Sequence, residues 1–221
     1  MIAEELINHM IPPLKATDDA HKAIVWMEEF RCNHLPVVRD GELMGFISEE
    51  IILESNDIER NLVDFDLVAK DCIVPLDAHF YDILRVAGDN KLQIVAVLNE
   101  ERQYMGVITV QDMMVSFAQT ASVQMPGGIL VLSMDLIDYS LAEISRYVEE
   151  NNAKVISSTM TEDPMDKGKI KLTLKINKKD LKRIAATLER FNYKVIGRYQ
   201  ENAAASGEKD KIDLLLRYLD I

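Results

Sequence analysis

The chain has 221 residues, of which 48% are hydrophobic and 28% charged, and its formal net charge at pH 7 is −12. This composition predicts a globular protein with a buried core. The acidic balance disfavours binding to nucleic acid or anionic lipid, whose phosphates are held chiefly by Lys and Arg. No segment approaches the roughly 20 apolar residues of a membrane span, and the N-terminus lacks the pattern of a signal peptide, so a cytoplasmic location is expected.

An internal repeat organises the first half of the chain. Segment 45–51, Gly-Phe-Ile-Ser-Glu-Glu-Ile, returns as segment 106–112, Gly-Val-Ile-Thr-Val-Gln-Asp, with similar hydrophobic spacing upstream of both copies. A repeat of this size indicates a duplicated structural unit. Two such units packed together form a cleft between near-equivalent surfaces, which is a place to bind a small molecule.

Both copies contain the same predicted elements in the same order. A short extended segment is followed by apolar residues at helical spacing, which in the first copy are Ala20, Ala23, Ile24 and Met27. Two strands joined by a turn come next, with an Asp-Gly hairpin signal at 40–41 in the first copy. A closing helix begins after Ser48 or Thr109. The predicted order is βαββα in residues 1–58 and again in residues 59–120.

The first half resembles the cystathionine-β-synthase (CBS) domain pair, or Bateman module, over roughly residues 1–120. The resemblance rests on His-Leu-Pro-Val-Val at 34–38, on Gly41 and Gly45, and on the ending Gly, two hydrophobic residues, Ser or Thr, and Asp three positions later. It implies a regulatory module that binds an adenosine nucleotide or a related ligand and usually dimerises. AMP, ATP and S-adenosylmethionine are the candidate ligands.

Thr109 and Asp112 are the candidate ligand-binding residues of the second copy. If Thr109 opens a helix, its hydroxyl and the first free backbone N–H groups can bind a phosphate, while Asp112 can accept hydrogen bonds from both ribose hydroxyls. The same pair also fits a helix N-cap, and the repeat favours the nucleotide interpretation. The apolar wall for the base is expected from Cys72, Ile73, Val74, Ile94, Val95 and Ala96.

The first copy departs from this pattern, because Ile51 takes the place of Asp112. A carboxylate at Glu49 or Glu50 points roughly 100 to 200° away around the helix. In the second copy, Val95 is aligned with Pro36 of the first. We expect one asymmetric site centred on Asp112 and a degraded second site, whose residues are Ala16, Leu35, Pro36 and Ser48.

The organisation changes after a predicted linker at 121–128, which ends in Pro-Gly-Gly. Residues 129–200 predict the order βαββαβ, a ferredoxin-like arrangement, so the chain is assigned to the α+β class. This region resembles the ACT domain, through segment 138–144 entering the first helix and segment 151–155 leaving it. The resemblance implies a small regulatory module that often binds amino acids.

Ser140 replaces the Gly that commonly precedes the first helix of that family. A glycine there lets backbone and ligand approach closely. Because it is missing, a structural or dimerising role is at least as well supported as amino-acid binding. Ser140 can instead cap the helix, with Glu143 completing a capping box.

Lysines alternate with apolar residues in the predicted strand 169–176, so a basic sheet face is expected. This strand displays no aromatic side chain for base stacking, which disfavours RNA binding. Residues 201–221 predict a flexible tail that ends in a short apolar helix. That helix either packs on its own domain or anchors a second subunit or another protein.

The sequence contains no motif for catalysis, and Cys32 and Cys72 predict buried free thiols, so neither an enzyme nor a metal site nor a cofactor is expected. The leading hypothesis is a regulatory homodimer that senses an adenosine-type ligand in the CBS cleft and transmits its state through the dimer or the ACT-like half. A CBS pair followed by an ACT domain resembles acetoin-utilisation-type stand-alone regulators. The alternative is a constitutive assembly or adaptor protein with structural repeats, no ligand and an unidentified protein partner.

Overall fold

The computed structural model describes residues 1–200, except for the side chain of Gln200. The chain divides into two compact units, Met1–Gln119 and the part from Thr120 onward. The predicted α+β class is confirmed, with βαββα twice in the first unit and βαββαβ in the second. The tail and terminal helix predicted for residues 201–221 lie outside the described residues.

The first unit contains two copies of one arrangement. The first copy consists of α1 (Ala3–Leu6), β1 (Leu14–Lys15), α2 (Ala20–Phe30), β2 (His34–Arg39), β3 (Glu42–Ser48) and α3 (Glu49–Ser55). The second begins with a 3-10 turn (Leu62–Asp64) and continues with β4 (Ile73–Pro75), α4 (Phe80–Asn90), β5 (Ile94–Leu98), β6 (Tyr104–Thr109) and α5 (Val110–Ala118). Each copy has a three-stranded sheet in which the first strand is parallel to the middle strand and the third is antiparallel to it.

Both copies start and stop their long helices in the same way. The side chain of Asp19 caps α2 and that of His79 caps α4, each by accepting a backbone N–H of the first turn. Each helix ends at a residue with left-handed backbone, Arg31 with φ 53° and Lys91 with φ 55°. Arg31 and Lys91 therefore occupy equivalent positions in the two copies.

The two copies exchange the segments that precede their first strands. Asn8 pairs with Val107 on β6 of the second copy, and Val68 pairs in the equivalent way with Phe46 on β3 of the first. Each sheet is thus extended by the other copy, and the buried apolar residues of both copies form one core. Because of this exchange, a site on one copy contains residues from the other.

The glycine of the repeated motif is explained by this crossing. Gly45 and Gly106 have φ of 141° and 151°, a conformation that side-chain-bearing residues rarely adopt. A Cβ atom on Gly106 would lie 2.5 Å from Cγ2 of Ile7, and one on Gly45 would lie 2.9 Å from Cβ of Leu67. The exchanged segments can reach the sheets only because both positions lack a side chain.

The strand register corrects one alignment made from the sequence. Pro36 pairs with Phe46 in the first copy, whereas Val107, the equivalent of Phe46, pairs with Ala96 in the second. Ala96, and not Val95, therefore occupies the place of Pro36. The sequence alignment misplaced this pair because the turn between β5 and β6 differs in length from the one between β2 and β3.

The second unit begins with α6 (Ala121–Gln124), a short helix inside the segment predicted as a linker. Its other elements are β7 (Gly128–Asp135), a 3-10 turn (Leu136–Asp138), α7 (Leu141–Glu150), β8 (Val155–Glu162), β9 (Lys169–Ile176), α8 (Lys182–Arg190) and β10 (Lys194–Gln200). The four strands form an antiparallel sheet in the order β10-β7-β9-β8. Alternate residues of β7 and β9 are buried in one core with residues of α7 and α8. Among the described residues, no helix combines the length and hydropathy of a bilayer span.

Candidate functional site

The N-terminus of α5 holds the two residues that the sequence singled out. Thr109 Oγ1 accepts a hydrogen bond from the backbone N–H of Asp112 at 3.0 Å and donates one to Asp112 Oδ2 at 2.6 Å. Thr109 is therefore the N-cap of this helix, as the capping interpretation predicted. Both side chains are half-buried, so the carboxylate is held in one orientation while part of it reaches solvent.

Asn8 completes this group and was not predicted from the sequence. Its Nδ2 donates to Asp112 Oδ2 at 2.8 Å, and its backbone N–H donates to the carbonyl oxygen of Val107 at 2.7 Å. The Asn8 side chain is itself oriented, because Oδ1 accepts the backbone N–H of Met10 at 2.9 Å. Asn8 lies 104 positions from Asp112 in the chain. Only the segment exchange brings the two together, so no local sequence signal marks Asn8.

A cavity of about 520 Å³ opens beside this group, and we call it the Asp112 cavity. Its walls come from the exchanged N-terminal segment, the end of α2, the start of β5 and the first turns of α5. Its lining residues are Asn8, Met10, Ile11, Glu29, Phe30, Arg31, Cys32, Gln93, Thr109, Val110, Gln111, Asp112 and Met114. The volume lies within the range of roughly 300–1,000 Å³ that is usual for small-molecule sites.

The six residues predicted to form the wall for the base do not line this cavity. Five of them are buried in the core, namely Cys72, Val74, Ile94, Val95 and Ala96, while Ile73 is half-buried and pairs with Ala96. Burial, and next the carboxylate of Asp71, raise the pKa of the Cys72 thiol to about 12. Cys32, in contrast, lines the cavity, and burial also raises the pKa of its thiol.

The first amides of α5 are less available than the sequence suggested. The N–H of Val110 donates to the carbonyl oxygen of Gln93 at 2.9 Å, and that of Asp112 is held by Thr109. The expectation that these first N–H groups are free for a phosphate is therefore wrong for two of the first three. The fold supplies their partners in both copies, since Glu49 N–H likewise donates to Asn33 O at 3.0 Å.

A second cavity, of about 600 Å³, lies at the equivalent place beside α3, and we call it the Ser48 cavity. Its lining residues are Asn33, His34, Ser48, Glu49, Glu50, Leu53 and Glu54. Ser48 caps α3 by accepting the N–H of Ile51 at 3.2 Å. Ala16, Leu35 and Pro36, the other residues predicted for the degraded site, are buried and do not line this cavity.

The two cavities differ in polarity at equivalent positions. Near α3, Ile51 takes the place of Asp112, and Val68, contributed by the second copy, takes the place of Asn8. The hydrogen-bonded polar pair near α5 therefore has an apolar equivalent near α3. The Ser48 cavity is lined by three glutamates. Burial lowers the pKa of His34 at its edge, and the charge of Glu50 opposes this shift. The Ser48 cavity is thus acidic, but none of its carboxylates occupies the position equivalent to Asp112.

A third cavity, of about 690 Å³, lies in the second unit where β7 leads into α7. Ser140 caps α7 by accepting the N–H of Glu143 at 3.3 Å, and the Glu143 carboxylate accepts the hydroxyl of Tyr193 at 3.2 Å. Burial, and next the Glu143 carboxylate, raise the pKa of Tyr193 to about 12. Within residues 1–200, no three His, Cys, Asp or Glu side chains are grouped as a metal site would require.

The first copy of the repeat matches a known family, since residues 3–56 match the model of the CBS domain. The predicted resemblance to the CBS family is confirmed for these residues. CBS-domain proteins are in general regulatory. The likeness of the second unit to the ACT family stays a prediction.

Solved structures of CBS-domain pairs are similar to about half of the chain. A CBS domain pair/ACT domain protein from Thermotoga maritima is 16% identical with a TM-score of 0.49, covering 54% of this chain and 98% of its own. CBSX2 in complex with AMP is 16% identical with a TM-score of 0.46, covering 53% and 96%. A putative acetoin utilization protein from Vibrio cholerae is 20% identical with a TM-score of 0.47, covering 53% and 90%.

Proposed function

We propose that the chain is a regulatory protein that binds an adenosine-type nucleotide in the Asp112 cavity. The observation that carries this proposal is the oriented carboxylate of Asp112, held by Asn8 and Thr109 at the wall of a cavity of about 520 Å³. The CBS domain at residues 3–56 supports the regulatory class. AMP, ATP and S-adenosylmethionine are the ligands to test first.

The Asp112 carboxylate keeps acceptor capacity for a ligand. Both described side-chain donors, Asn8 Nδ2 and Thr109 Oγ1, bond to Oδ2. An ionised carboxylate has about four lone-pair sites on its two oxygens, so Oδ1 remains able to accept hydroxyl groups. A ribose with two adjacent hydroxyls fits such an acceptor, and the aromatic ring of Phe30 offers an apolar surface in the same cavity.

Only one such site is proposed for each chain. Ile51, the sequence equivalent of Asp112, does not line the Ser48 cavity, and the three glutamates on the wall of this cavity repel a nucleotide phosphate. It lacks both the acceptor for a ribose and a favourable charge for a phosphate. This asymmetry predicts a stoichiometry of about one ligand per chain.

The position of the Asp112 cavity suggests how binding is transmitted. Its lining includes Asn8 and Arg31 from the first copy and Thr109 and Asp112 from the second, so a ligand contacts both copies. A ligand shifts a conformational equilibrium only by its difference in affinity between two arrangements. We propose that the nucleotide favours one arrangement of the copies, and that a homodimer or the ACT-like unit responds to it.

The test compares two matched cap variants, Thr109→Ala and Ser48→Ala. Each removes one N-cap hydroxyl, so each should cost about 1 kcal/mol of folding free energy. Isothermal titration with AMP, ATP and S-adenosylmethionine should show one ligand binding the wild type, unchanged binding to Ser48→Ala, and weaker binding to Thr109→Ala. Asp112→Asn should abolish the binding. Binding that both cap variants weaken equally would contradict a site at the Asp112 cavity.

The adaptor alternative is favoured by one observation: Thr109 acts as an ordinary helix N-cap, and its hydroxyl bonds both the N–H and the carboxylate of Asp112. If none of the adenosine compounds binds the wild type or raises its melting temperature, this alternative replaces the sensor. A ligand at one hundred times its dissociation constant should stabilise the folded state by about 2.7 kcal/mol, which a thermal scan detects easily.

A further inference from the structure

We propose that Arg31 binds the phosphate of the ligand and makes the Asp112 cavity selective for phosphorylated adenosine compounds. This inference rests on the proposed nucleotide site and goes beyond it by naming the residue that selects the ligand class. The sequence assigned the phosphate to the Thr109 hydroxyl and the first N–H groups of α5, but two of the first three N–H groups already have partners, so a further group is needed for the phosphate.

The N-terminus of α5 is a weak phosphate site by itself. Two of its first three N–H groups are occupied, Val110 by the carbonyl of Gln93 and Asp112 by the hydroxyl of Thr109. The same pair of bonds is present in the first copy, at Glu49 and Ile51, where the cavity is acidic. These bonds belong to the fold, so the helix terminus does not distinguish a binding cavity from a non-binding one.

Arg31 is the basic residue among the described residues that line the Asp112 cavity. Its backbone is fixed, because its N–H closes the last turn of α2 by bonding the carbonyl oxygens of Glu28 and Met27. Its side chain is exposed, and within residues 1–200 the guanidinium makes no ion pair. A guanidinium can donate two parallel hydrogen bonds to a phosphate, and none of the carboxylates within residues 1–200 forms an ion pair with this one.

The other charged lining residues make this role necessary. Glu29 and Asp112 are both acidic, so a cavity without Arg31 carries only negative side-chain charge. Such a cavity repels a phosphate and accepts neutral adenosine more readily than AMP. Arg31 therefore decides the preference between a phosphorylated and an unphosphorylated ligand, whereas Asp112 decides whether an adenosine compound binds.

Lys91 is a matched control, since it ends α4 as Arg31 ends α2, with nearly the same left-handed backbone. It does not line the Asp112 cavity. The test substitutions are Arg31→Asn and Lys91→Asn, because Asn tolerates left-handed backbone better than most residues and each change removes one positive charge. Both variants should fold, and a thermal melt of each variant before titration checks this.

The experiment measures the affinities of adenosine, AMP and ATP for wild type and both variants by isothermal titration. Arg31→Asn should weaken AMP and ATP by about tenfold, the loss expected for one charge-assisted interaction, and leave adenosine unchanged. Lys91→Asn should match wild type for all three. Raising the salt concentration should narrow the difference between wild type and Arg31→Asn for AMP.

Two results would overturn the inference. If Arg31→Asn weakens the binding of adenosine and AMP equally, or weakens the binding of neither compound, Arg31 does not recognise the phosphate. The proposed site is still supported in that case, provided that Asp112→Asn abolishes binding. If S-adenosylmethionine binds the wild type more tightly than AMP and ATP, the cavity is not selective for phosphate. Absence of binding by every compound removes the proposed function together with the inference.

Discussion

The Asp112 cavity and the Ser48 cavity lie at equivalent ends of two copies of one fold, and each is bordered by a capped helix. Their backbones make the same hydrogen bonds, from Val110 to Gln93 in one and from Glu49 to Asn33 in the other. They differ in side chains: Asn8 and Asp112 form a polar pair on the wall of one cavity, while the wall of the other carries Glu49, Glu50 and Glu54. A duplicated fold can thus keep its architecture twice and its binding chemistry once.

The comparison also separates residues that build the fold from those that bind. Thr109 and Ser48 both cap their helices, so a hydroxyl at this position is needed for the fold in either copy. Gly45 and Gly106 both make room for the exchanged segment. Asp112 and Asn8 have apolar equivalents, Ile51 and Val68, whereas the equivalent of Arg31 is Lys91, which is also basic. The residues that both copies share, the glycine and the capping hydroxyl, build the fold, whereas Asp112, which the first copy lacks, belongs to the candidate site.

The largest effect is expected from filling the space at the two crossing points. Gly106→Ala and Gly45→Ala should each destabilise the protein by about 1–3 kcal/mol, because the new Cβ clashes with the exchanged segment. Urea unfolding measures this loss. Only Gly106→Ala displaces the segment that carries Asn8, so it alone should also weaken ligand binding. Equal binding by both variants would show that the position of Asn8 is unimportant to the site.

A smaller effect is expected from the pair that distinguishes the cavities. Asn8→Ala removes a hydrogen bond to the half-buried carboxylate of Asp112, where water can replace the lost donor, and should cost about 0.5–1.5 kcal/mol. A double-mutant cycle with Asp112→Ala isolates the coupling between the two residues.

The matched cycle uses Val68→Ala and Ile51→Ala, at the equivalent positions near α3. Its coupling energy should be smaller, because neither residue can leave an unpaired polar partner. Equal coupling in the two cycles would mean that the Asn8–Asp112 hydrogen bond contributes no more than ordinary packing. The same denaturation measurement therefore tests whether polarity or packing distinguishes the copies.

The smallest effect is expected from acid at the Ser48 cavity. Burial lowers the pKa of His34 below its ordinary value of 6.5, so the unfolded chain binds a proton more readily than the folded one. The stability associated with neutral His34 is present above about pH 6.5 and is lost as the pH falls through the lowered pKa. Ile94 occupies the equivalent place in the second copy, since it pairs with Thr109 as His34 pairs with Ser48.

Replacing His34 by Ile, the residue of the other copy, should therefore reduce the loss of stability on acidification. Urea midpoints at about pH 7.5 and about pH 5.5, on either side of the ordinary histidine pKa, measure this difference. The comparison with His34→Ile separates this effect from the titration of carboxylates that do not interact with His34, and Glu50 is the one whose charge acts on it. An unchanged pH dependence would mean that His34 is equally solvated in the folded and unfolded chain.

The element order and the cap were predictable because both depend on local patterns. Helical spacing at Ala20, Ala23 and Met27 and the three-residue interval from Thr109 to Asp112 are properties of neighbouring positions. The interval placed the two residues on one helix end, and the structure places them in hydrogen-bond contact. The wall for the base was assigned from strand positions, and the structure places those strands in the core instead.

By itself, the sequence determined the two βαββα copies, the βαββαβ order of the second unit, and the difference between Asp112 and Ile51. Only the tertiary structure decided that Asn8 holds Asp112, that Arg31 lines the same cavity, and that the first helix amides already have partners. These features depend on backbone segments exchanged between copies and on the register of separate strands. Because such contacts join residues as much as 104 positions apart, no local periodicity can reveal them.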